Sequence, residues 1–139
     1  MAGVRIFVAD AEAWTELTDG GSPTARISAP DLAQARRIRS GLKSEDDDVS
    51  VILDVTVAVA REFGAAYRSA RGWLELAGPE AQVRYIGTVD GLAGLIADIE
   101  AAEVADGVTL IPAGPDQDPR VLGEDVLRRL DLRSQARAS

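Results

Sequence analysis

The chain of 139 residues contains no cysteine and no histidine. The first absence removes disulfides, thiolate nucleophiles and zinc–thiolate sites, and the second removes the commonest general base and the commonest metal ligand. No Ser/His/Asp or Cys/His mechanism can be built within this sequence. Aromatic residues are scarce, with two Phe, two Tyr and two Trp, so Ala, Val, Leu and Ile must fill the core. Basic residues are outnumbered, 15 Lys and Arg against 23 Asp and Glu, for a formal net charge of -8. That balance repels a phosphate backbone and argues against nucleic acid as a partner. No stretch approaches about eighteen uninterrupted apolar residues, and the N-terminus lacks a basic segment followed by a long apolar one. No membrane partner is expected, and the expected location is cytoplasmic.

What is present is a hydrophobic fraction of 46% against 27% charged residues, the balance of a soluble globular chain. One α/β domain is expected over residues 1–133, with 134–139 as a frayed tail. Val4–Ala9 is an apolar run of strand length, followed by a segment that mixes a possible helical turn with the loop chemistry of Asp19, Gly20, Gly21, Ser22 and Pro23. Ser28 and Asp31 have capping-box spacing, with Pro30 in the first turn of a helix that carries Leu32, Ala35, Ile38 and Leu42 on one face. Val49–Ala60 is the strongest strand signal, apolar on both faces, as in a covered parallel sheet. Arg61–Leu76 has a helical stripe, and Val83–Gly87 is a short strand. In the next helix Thr88 is placed to cap, Leu92, Leu95, Ile96 and Ile99 form the buried stripe, and Gly107 is placed as C-cap. Val108–Ile111 and a helix over Val121–Leu132, with Leu122, Val126 and Leu130 facing inward, close the pattern.

Strand and helix thus alternate four times, which predicts parallel strands joined by crossovers. Two architectures satisfy the pattern: an open doubly wound sheet, or consecutive units of a (β/α) barrel.

Candidate chemistry is sparse. Gly87, Gly91 and Gly94 form G-x-x-x-G-x-x-G, which is neither a dinucleotide fingerprint nor a Walker loop. The Gly87–Thr88 turn could still bind an anion through backbone N–H groups; a capped turn with close helix packing is the competing reading, and Asp90 would repel a phosphate there. Glu45–Asp48 lacks calcium-loop spacing and reads as a solvated connector, so no metal site is assigned. Asp116 and Asp118 follow the last strand, where sites of α/β folds gather. Asp54, in the middle of an apolar strand, needs a partner. Arg36, Arg37, Arg39 and Lys43 read as a solvated helix face, and Trp14 and Trp73 as either ligand stackers or packing residues.

The stretch YIGTVDGLAGLIADIEAAEVADGVTLIPAGPD with the following VLGEDVLRRL resembles the C-terminal part of the bacterial luciferase-like flavin-dependent monooxygenases. The matching residues are Gly87, Thr88, Asp106, Gly107, Pro112, Arg128 and Arg129, and APDLAQARRIRSGLKSEDDDVSVILDVTVAVAREFGAAYRSA extends the similarity upstream. The resemblance implies a TIM-barrel lineage, an FMN or deazaflavin cofactor and oxidation of a small organic substrate. Full-length relatives have about twice this length and a complete eight-stranded barrel. Their histidines have no counterpart here, and Val89 stands where the family has Pro. No catalytic residue is therefore carried over, and Gly87 and Thr88 alone are carried over as ligand contacts.

The expected fold is four βα units resembling half a TIM barrel, with a parallel sheet. Such a half leaves its once-interior Val and Ile face open to water, at about 25 cal/mol per Å². Pairing with a second copy, reordering of the strands, or completion by a full-length relative would cover it; homo-oligomerisation is the expected solution. The expected function is a truncated homologue acting as an oligomeric binding or accessory module with residual flavin affinity. The alternative is a flavin-dependent oxidoreductase with an active site shared between chains.

Overall fold

The computed structural model describes residues 4–9, 13–59, 83–113 and 118–138. Along these the elements run β1 (Arg5–Ala9), β2 (Trp14–Glu16), β3 (Thr24–Ile27), α1 (Leu32–Glu45), β4 (Ser50–Val59), β5 (Val83–Gly87), α2 (Val89–Ala101), β6 (Gly107–Pro112) and α3 (Pro119–Ala138). The expected helix over Arg61–Leu76, with Trp73, lies outside the described residues.

The sheet corrects the expectation of four parallel βα units. It is six-stranded, in the order β2-β1-β6-β4-β3, with β5 also paired to β4. β1 and β2 pair antiparallel, while every other pairing is parallel. The result is a curled half-barrel sheet of mixed strand direction. β2 and β3 escaped the sequence pattern because they span three and four residues, too few for a period-2 signal, on either side of strong turn residues. β4 is long enough, at ten residues, to serve two neighbours along one edge. Its Ser50–Leu53 half pairs with β3 and its Val55–Val59 half with β5.

One face of the sheet holds the main core. Ile6 and Val8, Val108 and Leu110, and Leu53, Val55 and Val57 lie side by side in register and meet Leu92, Ile96 and Ile99 of α2 and Leu122 and Val126 of α3. The helical stripes are those the spacing predicts, with Leu95 and Leu130 half-buried at the margins. Ile38 is the exception on α1, remaining 36% exposed.

Two helix ends depart from the pattern. α1 is capped by Asp31, whose side chain accepts from the Gln34 N–H, and not by Ser28; Pro30 precedes the cap. α2 ends at Ala101, and Glu103 takes the left-handed turn with φ of 59°. Gly107 instead begins β6, where an added Cβ would run into the Arg5 carbonyl oxygen. The glycine permits close pairing of β1 and β6 rather than ending a helix.

The opposite face is not the open wall of Val and Ile expected of half a barrel. Across the strands it carries Arg5, Gly107, Ile52 and Arg26 in one row, Glu16, Phe7, Thr109 and Asp54 in the next, and Thr56 beside Arg84 beyond. Phe7, Ile52, Thr56, Ala58 and Thr109 are all buried within the single chain. These five side chains are out of water in the single chain, so they do not by themselves call for a second copy to cover them.

Candidate functional site

The second face owes its chemistry to strand alternation. Each strand that places a Val, Leu or Ile against the helices turns its next residue into the curl, and there the sequence supplies Phe7, Asp54, Thr109 and Arg26. Trp14 lies over this surface from β2. Its ring stacks on Phe7, with centroids 4.5 Å apart and planes 12° from parallel. Its indole N–H donates to Thr109 Oγ1 at 2.9 Å, which satisfies both a half-buried donor and a fully buried hydroxyl.

Arg26 reaches in from the other side. Its Nε donates to Asp54 Oδ1 at 2.8 Å, and its guanidinium carbon lies 5.4 Å from the Trp14 ring centroid. This is the partner Asp54 requires: the carboxylate side chain is 13% exposed and the arginine 37%. The ionic bond and the cation–π contact hold the guanidinium in place from two directions. Asp54 and Trp14 are recognisable in sequence as unusual residues, whereas Arg26 is not, because the strand that carries it is too short to be seen.

Arg5 offers a contrast on the same face. It grips Glu16 through Nε at 2.9 Å and Nη2 at 2.7 Å, and its remaining donor capacity goes to the Ser22 and Gly20 carbonyls. Glu16 also accepts from Thr18 Oγ1 and the Gly20 N–H. The bond to Arg5, aided by these donors against the opposing effect of burial, holds the Glu16 carboxyl at about 2. The same bond raises the Arg5 guanidinium. This pair is structural: it ties the loop after β2 to the base of β1.

Asp106 makes a second tie at the amino ends of the strands. It accepts from the Val51 N–H at 2.8 Å and pairs with Arg39 at 3.0 Å and Lys43 at 3.3 Å. Burial pushes this carboxyl up, but the Val51 amide and the two cations outweigh it and leave the group below its ordinary value. Two members of the apparent basic patch on α1 are thus anchors of the helix to the sheet, while Arg36 and Arg37 stay in solvent. Beside this tie opens a cavity of about 940 Å³, lined by Leu17, Leu127 and Leu130 with Asp19, Glu100 and Asp131.

Gly87 and Thr88 sit elsewhere, at the junction of β5 and α2. Thr88 caps the helix, its Oγ1 accepting from the Gly91 N–H at 3.1 Å. The Tyr85 hydroxyl donates to the Thr88 carbonyl at 2.8 Å and packs where a Cβ on Gly87 or Gly91 would lie. The local geometry accounts for both glycines by the tyrosine they accommodate, and one helix amide is already taken by the cap. Asp118 likewise caps α3, accepting from the Arg120 N–H at 2.9 Å, and Asp116 lies outside the described residues. Among the described residues, no three carboxylates gather in a metal-binding group, and no helix is long and apolar enough to cross a membrane.

No family model matches the chain, nor does any curated protein. Among solved structures, EDTA monooxygenase from Chelativorans sp. BNC1 superimposes with a TM-score of 0.60 at 12% sequence identity, over 79% of this chain and 39% of that one. The chain shares the fold of part of a luciferase-like monooxygenase. At this identity the likeness is one of fold, and the chain spans well under half of the monooxygenase's length. On the curled half-barrel sheet of this chain, Phe7, Trp14, Arg26, Asp54 and Thr109 lie on the face turned away from α2 and α3, here called the inner face.

Proposed function

We propose that the chain is a ligand-binding module of the luciferase-like monooxygenase type, with affinity for a flavin, FMN or deazaflavin, at the inner face of its curled sheet. The observation that carries this reading is the composition of that face. A core-only half-barrel needs nothing but aliphatic side chains there, yet this one bears a stacked Phe7–Trp14 pair and a hydrogen-bonded Arg26–Asp54 pair whose arginine reaches solvent. An aromatic wall beside polar donors is the combination that small-molecule sites use for burial and orientation, and it suits the flat ring system of a flavin. Gly87 and Thr88 remain second-rank ligand contacts, since the turn they form is largely satisfied by its own cap and by Tyr85.

Titration of purified protein with FMN tests the proposal. Quenching of flavin fluorescence that saturates and is weakened tenfold or more by Trp14→Ala supports it; no quenching at millimolar FMN overturns it.

A flavin-dependent oxidoreductase whose active site is shared between chains is the second reading. It is favoured by one observation, that the chain matches 39% of a monooxygenase, so that a second copy or a full-length relative would supply the remaining wall. NAD(P)H-dependent flavin reduction that appears only above a protein concentration at which light scattering records an oligomer would support it over the simple binding module.

A further inference from the structure

We infer that Arg26 is the receptor for an oxyanion, a carboxylate or phosphate group, carried by the ligand of the inner face; the inference rests on that face being a binding surface. The two arginines of the face differ in how much of their donor capacity the protein uses. Arg5 has acceptors on Nε, Nη1 and Nη2 and is 12% exposed. Arg26 bonds through Nε alone, and among the described residues its Nη1 and Nη2 meet no acceptor, with 37% of the side chain in solvent.

The unused part is the end-on edge of the guanidinium, a pair of parallel N–H donors spaced to match the two oxygens of a carboxylate or phosphate. Its orientation is set in advance. Asp54 fixes the Nε edge and the Trp14 ring bounds the plane, so a ligand finds the fork already ordered and less rotamer freedom is lost on binding. Asp54 lowers the net charge of the pair but, among the described residues, leaves the two forward N–H groups unpaired. The adjoining half-buried Trp14 ring, backed by Phe7, would lie against the apolar body of the same ligand.

The test uses the full chain carrying Trp73→Phe, which leaves Trp14 as its one indole, and follows Trp14 emission. Inorganic phosphate, citrate, FMN and riboflavin are titrated, with chloride at matched ionic strength as the control. Arg26→Gln removes the charge, and Arg26→Lys keeps a cation beside Asp54 while abolishing the fork, so retention of fold is secured by the second variant. The expected result is a saturable response to phosphate or citrate that weakens tenfold or more in both variants. A response to phosphate, together with FMN binding at least tenfold tighter than riboflavin, identifies the phosphate of the ligand as the source. A response to citrate alone identifies a substrate carboxylate. Equal binding of FMN and riboflavin with no Arg26-dependent response to either oxyanion overturns the inference and leaves the flavin proposal standing. An Arg26-dependent oxyanion response without binding of either flavin upholds the inference and overturns the flavin proposal. Absence of any response beyond that to chloride overturns both.

Discussion

Trp14 and Arg26 belong to strands at opposite edges of one sheet, with β1, β6 and β4 between them, and yet the guanidinium carbon of one lies 5.4 Å from the ring centroid of the other. A flat sheet with neighbouring strands about 4.8 Å apart would hold these edges far out of contact. Their meeting shows how strongly the sheet curls.

Trp14 should therefore be a keystone of stability. Trp14→Ala removes the stack on Phe7 and the bridge to Arg26, and is expected to cost about 2–4 kcal/mol. Trp14→Phe keeps the aromatic contact but leaves Thr109 without its indole donor, costing about 1 kcal/mol. Urea midpoints of the two variants check the order; equal losses would mean that the indole N–H, and not the ring stack, carries the effect.

Acid should loosen the chain through Glu16 and Asp106. The folded-state value of Glu16, about 2, lies below its ordinary 4.5, so its stabilisation is complete above about 4.5 and is lost as pH falls toward 2. Asp106 is lowered as well and adds in the same direction. Denaturation midpoints measured from pH 7 down to pH 2.5 should fall most steeply below pH 4.5. Glu16→Gln should lower stability at pH 7 by about 1–3 kcal/mol and flatten that acid limb; an unchanged limb would remove the Arg5–Glu16 pair from the account.

The junction of β5 and α2 makes a coupling prediction. Gly91→Ala drives a methyl group into the Tyr85 hydroxyl, at an expected cost of about 1–3 kcal/mol. In a Tyr85→Phe background the same substitution should cost less, because the hydroxyl is gone. Additive losses across this double-mutant cycle would show that the tyrosine is not what requires glycine there.

Val55 tests which face is which. It is fully buried on the helix side of β4, so Val55→Asp should unfold the chain outright, through the burial of an unpaired charge. A folded variant with altered oligomeric state, seen by circular dichroism together with light scattering, would place Val55 in an interface instead.

The legible parts of the fold were those in which one residue's chemistry sufficed locally. β5, the stripe and N-cap of α2 and the inward face of α3 follow from spacing and from Thr88, since a 3.6-residue period and a capping hydroxyl act within a few residues of chain. Asp54 was visible as a carboxylate in need of a partner for the same reason, since it stands in the middle of an apolar strand. Its partner was not, because Arg26 lies 28 positions away on a four-residue strand whose only evidence is the pairing it makes.

By itself the sequence determined the long strand β4, the capped helix α2 with its buried stripe, the aliphatic core, and the exclusion of any chemistry that needs Cys or His. Tertiary structure alone decided that β2 turns back antiparallel, that Gly107 serves strand pairing rather than a helix end, and that Phe7, Trp14, Arg26, Asp54 and Thr109 share one concave face. Periodicity reports which side of an element is apolar. Strand order and sheet curl are set by non-local pairing, and they choose which of the remaining side chains meet.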